Sequence, residues 1–166
     1  MPTPLRNRRR AALLVILVTF FASIYMVTYS GRVESGDALY LFDAVGSVVQ
    51  FDDFLLDISA GTRPPQTFDT PSLYPLPTVD SEPLQVLLAA PLYWLAERVP
   101  GIGLAHAVWL FNVVVCALGV GVLFLYALAL GYDERTAALA ALALGGFTIW
   151  WTYSQSFFRE PLAGLT

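Results

Sequence analysis

Arg6, Arg8, Arg9 and Arg10 stand directly before 19 consecutive residues, Ala11 to Tyr29, that carry no charge. A helix rises about 1.5 Å per residue, so such a run reaches roughly the 30 Å hydrocarbon core of a bilayer. Basic clusters stay on the cytoplasmic side, and the chain after Tyr29 is therefore expected to emerge on the outer face. A cleaved signal sequence shares the basic start. Its apolar stretch, however, is usually about 7–15 residues and ends at small residues. Here Tyr25, Met26, Val27 and Tyr29 occupy the end of the run, which favours a retained anchor.

The composition agrees with a membrane protein. Hydrophobic residues make up 57% of the 166 residues and charged residues only 13%, about half the share usual for a soluble domain. The net charge of −4 is unevenly spread: residues 30–102 hold ten of the 13 acids and three of the nine arginines. Acids repel phosphates, so nucleic acid is excluded as a partner. Carboxylates on an outer face suit hydroxyl activation or divalent cations better. Cys116 is the only cysteine, which rules out an internal disulfide and a thiol–zinc set. His106 is the only histidine, and no Gly-x-Ser-x-Gly accompanies it.

The expected fold is all-α, a polytopic integral membrane protein with three transmembrane helices and two juxtamembrane interfacial helices in one outer loop. Residues 1–10 form a cytoplasmic tail and 11–29 the first span. The outer loop runs over 30–101. A second span covers 102–130, a cytoplasmic turn 131–136, a third span 137–154 and an outer tail 155–166. Within the loop, 37–58 has helical spacing, with Ser35 as its N-cap. Asp43, Ser47, Gln50, Asp53 and Asp57 form a polar stripe, and Leu41, Val45, Val48 and Leu55 lie mostly opposite, so the helix would lie on the membrane with its apolar face down. Asp52-Asp53 reads as a solvated face. A second apolar piece, 84–97, is too short to span, contains Pro91, and reads as interfacial, with Tyr93 and Trp94 near the headgroups. His106 and Asn112 are expected to make interhelical hydrogen bonds, and Gly119-Val120-Gly121 to serve span packing rather than phosphate binding. Three spans bury little interface, so the chain reads as the first part of a larger membrane protein.

Three local sequences fall in a telling order. Glu34-Ser35-Gly36-Asp37-Ala38-Leu39-Tyr40 follows the first span. Ala89-Ala90-Pro91-Leu92-Tyr93 lies in the second surface helix. Ser154 to Leu162, ending Arg159-Glu160-Pro161-Leu162, follows the third span. This plan resembles the N-terminal part of the GT-C fold glycosyltransferases, of the protein O-mannosyltransferase and aminoarabinose transferase type, which use polyprenyl-phosphate sugars. Many members carry an Asp-Glu pair where this chain has Asp37-Ala38.

The resemblance implies sugar transfer from a polyprenyl-phosphate donor to an outer-face acceptor, in the cell's inner or plasma membrane. A carboxylate just outside the first span serves as general base, a role that falls to Asp37, with Tyr40 beside it on the substrate side. Glu160 is the second acid, binding a divalent metal ion or orienting the acceptor. Arg159 suits the lipid phosphate, since guanidinium matches phosphate oxygens bidentately, and Arg63 and Arg32 are weaker candidates. No dedicated set of metal ligands is assigned. Read without the family, Asp37 is an acid favoured by a helix N-terminus, Glu160 a surface partner of Arg159, and Asp80 and Glu82 are capping or solvated charges. The rival functions are a non-catalytic membrane scaffold and a transporter or flippase subunit. The uncharged spans speak against the second.

Overall fold

The computed structural model describes residues 4–33, 35–52, 54 and 83–166. Among them the chain is helical, without strands: α1 (Pro4–Thr28), α2 (Gly36–Phe51), α3 (Pro83–Arg98), α4 (Leu104–Ala129), α5 (Glu134–Phe147), α6 (Trp150–Ser154) and α7 (Glu160–Leu165). Two helices are long and apolar enough to cross a membrane: Arg6–Thr28 within α1, 23 residues, and α4, 26 residues. The chain divides into two compact units, one of residues up to 31 together with 109–166, the other of residues 32–108.

In the first unit α1 begins at Pro4, so the four arginines expected in a separate tail belong to the same helix as the apolar run. Proline opens a helix readily, because its missing N–H is one that would have no partner there. Leu17, Phe21 and Tyr25, four residues apart, form the one buried stripe of α1. They join Val113, Cys116, Ala117, Val120 and Phe124 of α4 and Ala137 and Ala141 of α5 in one core. Small residues set how closely these helices approach. A Cβ on Gly121 would meet Val18 and Leu14, one on Gly145 would meet the Phe21 ring, and one on Gly119 would meet the Trp150 indole. The Gly119-Val120-Gly121 sequence is thus a packing notch with a side chain seated at each glycine. α4 ends in a Schellman turn. Gly131 adopts φ 94°, and the N–H groups of Gly131 and Tyr132 return to the carbonyls of Leu128 and Ala127. Asp133 then caps α5, its carboxylate accepting from Thr136 N at 2.7 Å.

The third expected span, 137–154, is not one continuous helix. α5 stops at Phe147 after 14 residues, about 21 Å of helix, which falls short of a bilayer core. Thr148 has extended backbone, φ −127° and ψ 176°. Its hydroxyl donates to the Leu144 carbonyl (2.7 Å) and accepts from Trp150 N (3.1 Å). One side chain thereby takes over two positions of the helical ladder, and Gly145-Gly146 ahead of it weaken the helix they sit in. Two backbone oxygens, one just before the break and one beyond α6, are reached from neighbouring helices. Tyr25 Oη donates to Gly145 O at 2.8 Å, and Asn112 Nδ2 to Phe158 O at 2.7 Å.

In the second unit α2 and α3 pack on each other. Ser35 caps α2 as expected, its hydroxyl accepting from Ala38 N at 3.1 Å. α2 ends at Phe51 rather than at 58, because Asp52 turns into the left-handed region at φ 57° and ψ 32°. α3 covers the expected 84–97 and continues through Pro91. Gly46 of α2 lies under the Tyr93 ring of α3, where a Cβ would stand 3.2 Å from Oη.

Filling the Gly119 notch should be costly. Gly119→Leu forces the Trp150 indole out of its seat, and we expect a loss of about 1–3 kcal/mol. Gly36→Ala, with nothing within 4 Å of the added Cβ, should leave stability unchanged or raise it by about 0.4–1 kcal/mol. Thermal unfolding of both variants in detergent checks the contrast.

Candidate functional site

Asp37 stands in the first turn of α2, exposed, directly after the Ser35 cap. A carboxylate is favoured there by the helix dipole and remains open to solvent. Tyr40, also exposed, lies three residues on. Positions i and i+3 share one helical face with Cβ atoms about 5–6 Å apart, so α2 presents the carboxylate and the phenol side by side.

Arg159 and Glu160 form a second pair in the other unit. Arg159 is the N-cap of α7 and Glu160 its first residue; Nε and Oε1 lie 3.9 Å apart, with both side chains about half exposed (56% and 46%). Pro161 and Leu162 behind them are buried, which fixes where the pair projects. Of the sequence-predicted residues, Arg159 and Glu160 come together, while Asp37 and Tyr40 share a side of α2 by their spacing. Arg63, Asp53, Asp57, Asp80 and Glu82 lie outside the described residues. Among those described, no group of three or more His, Cys, Asp or Glu side chains is placed to hold a metal ion.

The polar stripe of α2 is partly buried. Asp43 and Ser47 are buried (9% and 2% exposed), and Gln50 reaches across to α3. Gln50 Nε2 donates to Tyr93 Oη at 3.1 Å and to Glu97 Oε1 at 2.8 Å. Burial raises the pKa of the Tyr93 hydroxyl, the charges of Glu97 and Asp43 raise it further, and the Gln50 bond opposes them. Tyr93 accordingly keeps its proton past the usual tyrosine range. Expected near the headgroups, Tyr93 instead faces α2, while Trp94 is exposed under the Arg98 guanidinium, 3.7 Å above its ring. The spacing of Asp43, Ser47 and Gln50 was visible in the sequence. What it could not show was that a second helix, more than thirty residues on, covers the polar side.

Asn112 is the other residue whose role the structure sharpens. It is fully buried, and its Nδ2 ties the carbonyls of Tyr153 (3.4 Å) and Phe158 (2.7 Å), which bracket the segment leading to Arg159 and Glu160. Trp109 stacks on Phe157 one turn earlier, at 5.4 Å between centroids. Trp109 and Asn112 thus hold the approach to the Arg159–Glu160 pair in place. His106, in the first turn of α4, is exposed.

Comparison of the chain with family models, with curated proteins and with solved structures finds no match.

Removing the Asn112 amide should free the segment it holds. For Asn112→Leu we expect a cost of about 1–3 kcal/mol, with faster amide hydrogen exchange concentrated in residues 153–158, read by mass spectrometry.

Proposed function

We propose that the chain is a membrane glycosyltransferase of GT-C type, or the N-terminal part of one, moving a sugar from a polyprenyl-phosphate donor to an acceptor on the outer face. The membrane part of this reading rests on where α1 keeps its apolar surface. Val15, Ile16, Phe20, Met26 and Val27 are all exposed, Val27 at 85%. In water that surface would be a liability; in lipid it is the ordinary outer face of a span. α4 adds a stripe of its own, Val114, Leu118, Val122 and Leu125. On α3 the residues turned away from α2 include Leu84, Leu87, Leu88, Trp94 and Leu95. In this reading they lie in the outer leaflet, and the Trp94–Arg98 pair sits at headgroup level.

The single observation that carries the chemical part is Asp37: a solvent-open carboxylate in the first turn of a helix, nine residues after the end of the apolar α1. In the proposed step Asp37 takes the proton from the acceptor hydroxyl as its oxygen attacks the anomeric carbon. The bond from that carbon to the phosphate oxygen breaks, and the polyprenyl phosphate leaves with the electron pair, inverting the configuration. Arg159 would stabilise the departing phosphate, Glu160 would orient the acceptor, and Tyr40 would hydrogen-bond the sugar beside the base.

In the complete protein Asp37→Asn should lower transfer by about 10²–10⁴-fold while membrane insertion persists. Full activity in that variant would remove Asp37 from the mechanism. Orientation has its own check. Cys116 is buried, and Asp52 is exposed where Ser47 is not. Asp52→Cys should therefore react with an impermeant thiol reagent in intact cells. Labelling only after lysis would place the acidic loop inside and end the proposal.

A further inference from the structure

Because α1 is helical from Pro4, its arginines occupy fixed positions rather than a loose tail. Arg6, Arg9 and Arg10 stand at i, i+3 and i+4 and share one side of the helix, next to the start of α5. There Glu134 receives two of them. Arg9 Nε lies 3.2 Å from Oε2, and Arg10 Nε lies 3.2 Å from Oε1. Glu134 is largely covered, its side chain 15% exposed, whereas Arg9 remains 76% exposed. Asp133, the other acid of the turn, has its carboxylate engaged as the α5 cap. Arg135 follows, exposed. Glu134 thus answers two of the three guanidinium groups on this face of α1, while Asp133 lies in the field of Arg135. Like charges at these spacings repel, and the excess positive charge lies where the apolar run begins. A second anion with several acceptor oxygens would relieve it, and guanidinium groups suit phosphate in particular.

We propose that Arg6, Arg9 and Arg10 form a binding site for the phosphate of an anionic phospholipid headgroup, in the leaflet where α1 enters the membrane. Glu134 holds Arg9 and Arg10 by their Nε atoms and so aligns the site. This inference rests on α1 crossing a membrane, but not on the glycosyltransferase chemistry. A clustered set of arginines beside a span attracts anionic headgroups with about 1 kcal/mol per residue, or about fivefold in affinity.

The test uses the full chain, purified in neutral detergent, with equal amounts of phosphatidylglycerol and phosphatidylcholine; native mass spectrometry counts the lipids retained. Phosphatidylglycerol should be retained several-fold over phosphatidylcholine, and less so as salt is raised. Arg6→Gln leaves the Glu134 clamp intact and should lower that retention about fivefold. Arg8→Gln removes the same charge from the other side of α1, two residues from both Arg6 and Arg10, and should lower retention less. Equal retention of the two lipids, or equal loss in both variants, overturns the site. Displacement of phosphatidylglycerol by millimolar inorganic phosphate overturns the lipid as its ligand. Failure of the protein to float with liposomes would instead remove the membrane reading itself.

Discussion

The first unit depends on how closely α1 can approach α4 and α5. Helices that approach closely need small residues at the contact and hydrogen bonds to finish it. The chain meets that demand with absences of side chain. Gly121 admits Leu14 and Val18, Gly145 admits Phe21, and Gly119 admits Trp150. Where the helices touch, polar tips finish the contact: Tyr25 Oη on the Gly145 carbonyl and Trp150 Nε1 on the Cys116 carbonyl, at 2.8 and 2.9 Å. A buried carbonyl without a partner is expensive, so the Tyr25 bond to Gly145 O helps make the break after α5 tolerable.

The break has a consequence for the candidate site. Had residues 137–154 continued as one helix, the chain beyond would leave along its axis. Instead Thr148 ends α5, α6 lasts five residues, and the segment to Arg159 is fastened by Asn112 and by the stacking of Phe157 on Trp109. A pair of charged residues is thereby held on a short, buried-backed helix rather than on a free tail. The second unit makes a different use of polar groups. Its helices meet through Gln50, which donates to Tyr93 and Glu97, with Asp43 close enough to act on the Tyr93 hydroxyl. Such seams specify register, since each hydrogen bond fits only one alignment. The exposed Asp37 and Tyr40 stand at the open end of the same helix.

The glycosyltransferase proposal rests on the order of short motifs and on the polar residues they carry. The geometry gives each motif a physical setting: an acid on a capped first turn, a surface-length helix with an apolar outer face, and an Arg-Glu pair behind a broken helix. Fold and setting do not by themselves dictate a reaction, which is why the chemical reading is tied to Asp37 and the lipid reading to the exposed surface of α1.

Much was legible in the residues. The two long apolar runs, the Ser35 cap and the bounds of α3 all follow from local pattern, because length, periodicity and capping act within a few residues of chain. Other features needed the tertiary structure. The stripe of Asp43, Ser47 and Gln50 has one spacing whether it faces water or another helix, and only α3 decided between them. Residues 137–154 carry no charge to announce a break, yet Thr148 turns its hydroxyl onto Leu144 and Trp150, and distant side chains accept the result. The arginines of α1 promised a topology signal by composition alone. That Glu134 gathers two of them into one clamp depends on α1 and α5 lying side by side, a contact across more than a hundred residues that no local pattern encodes.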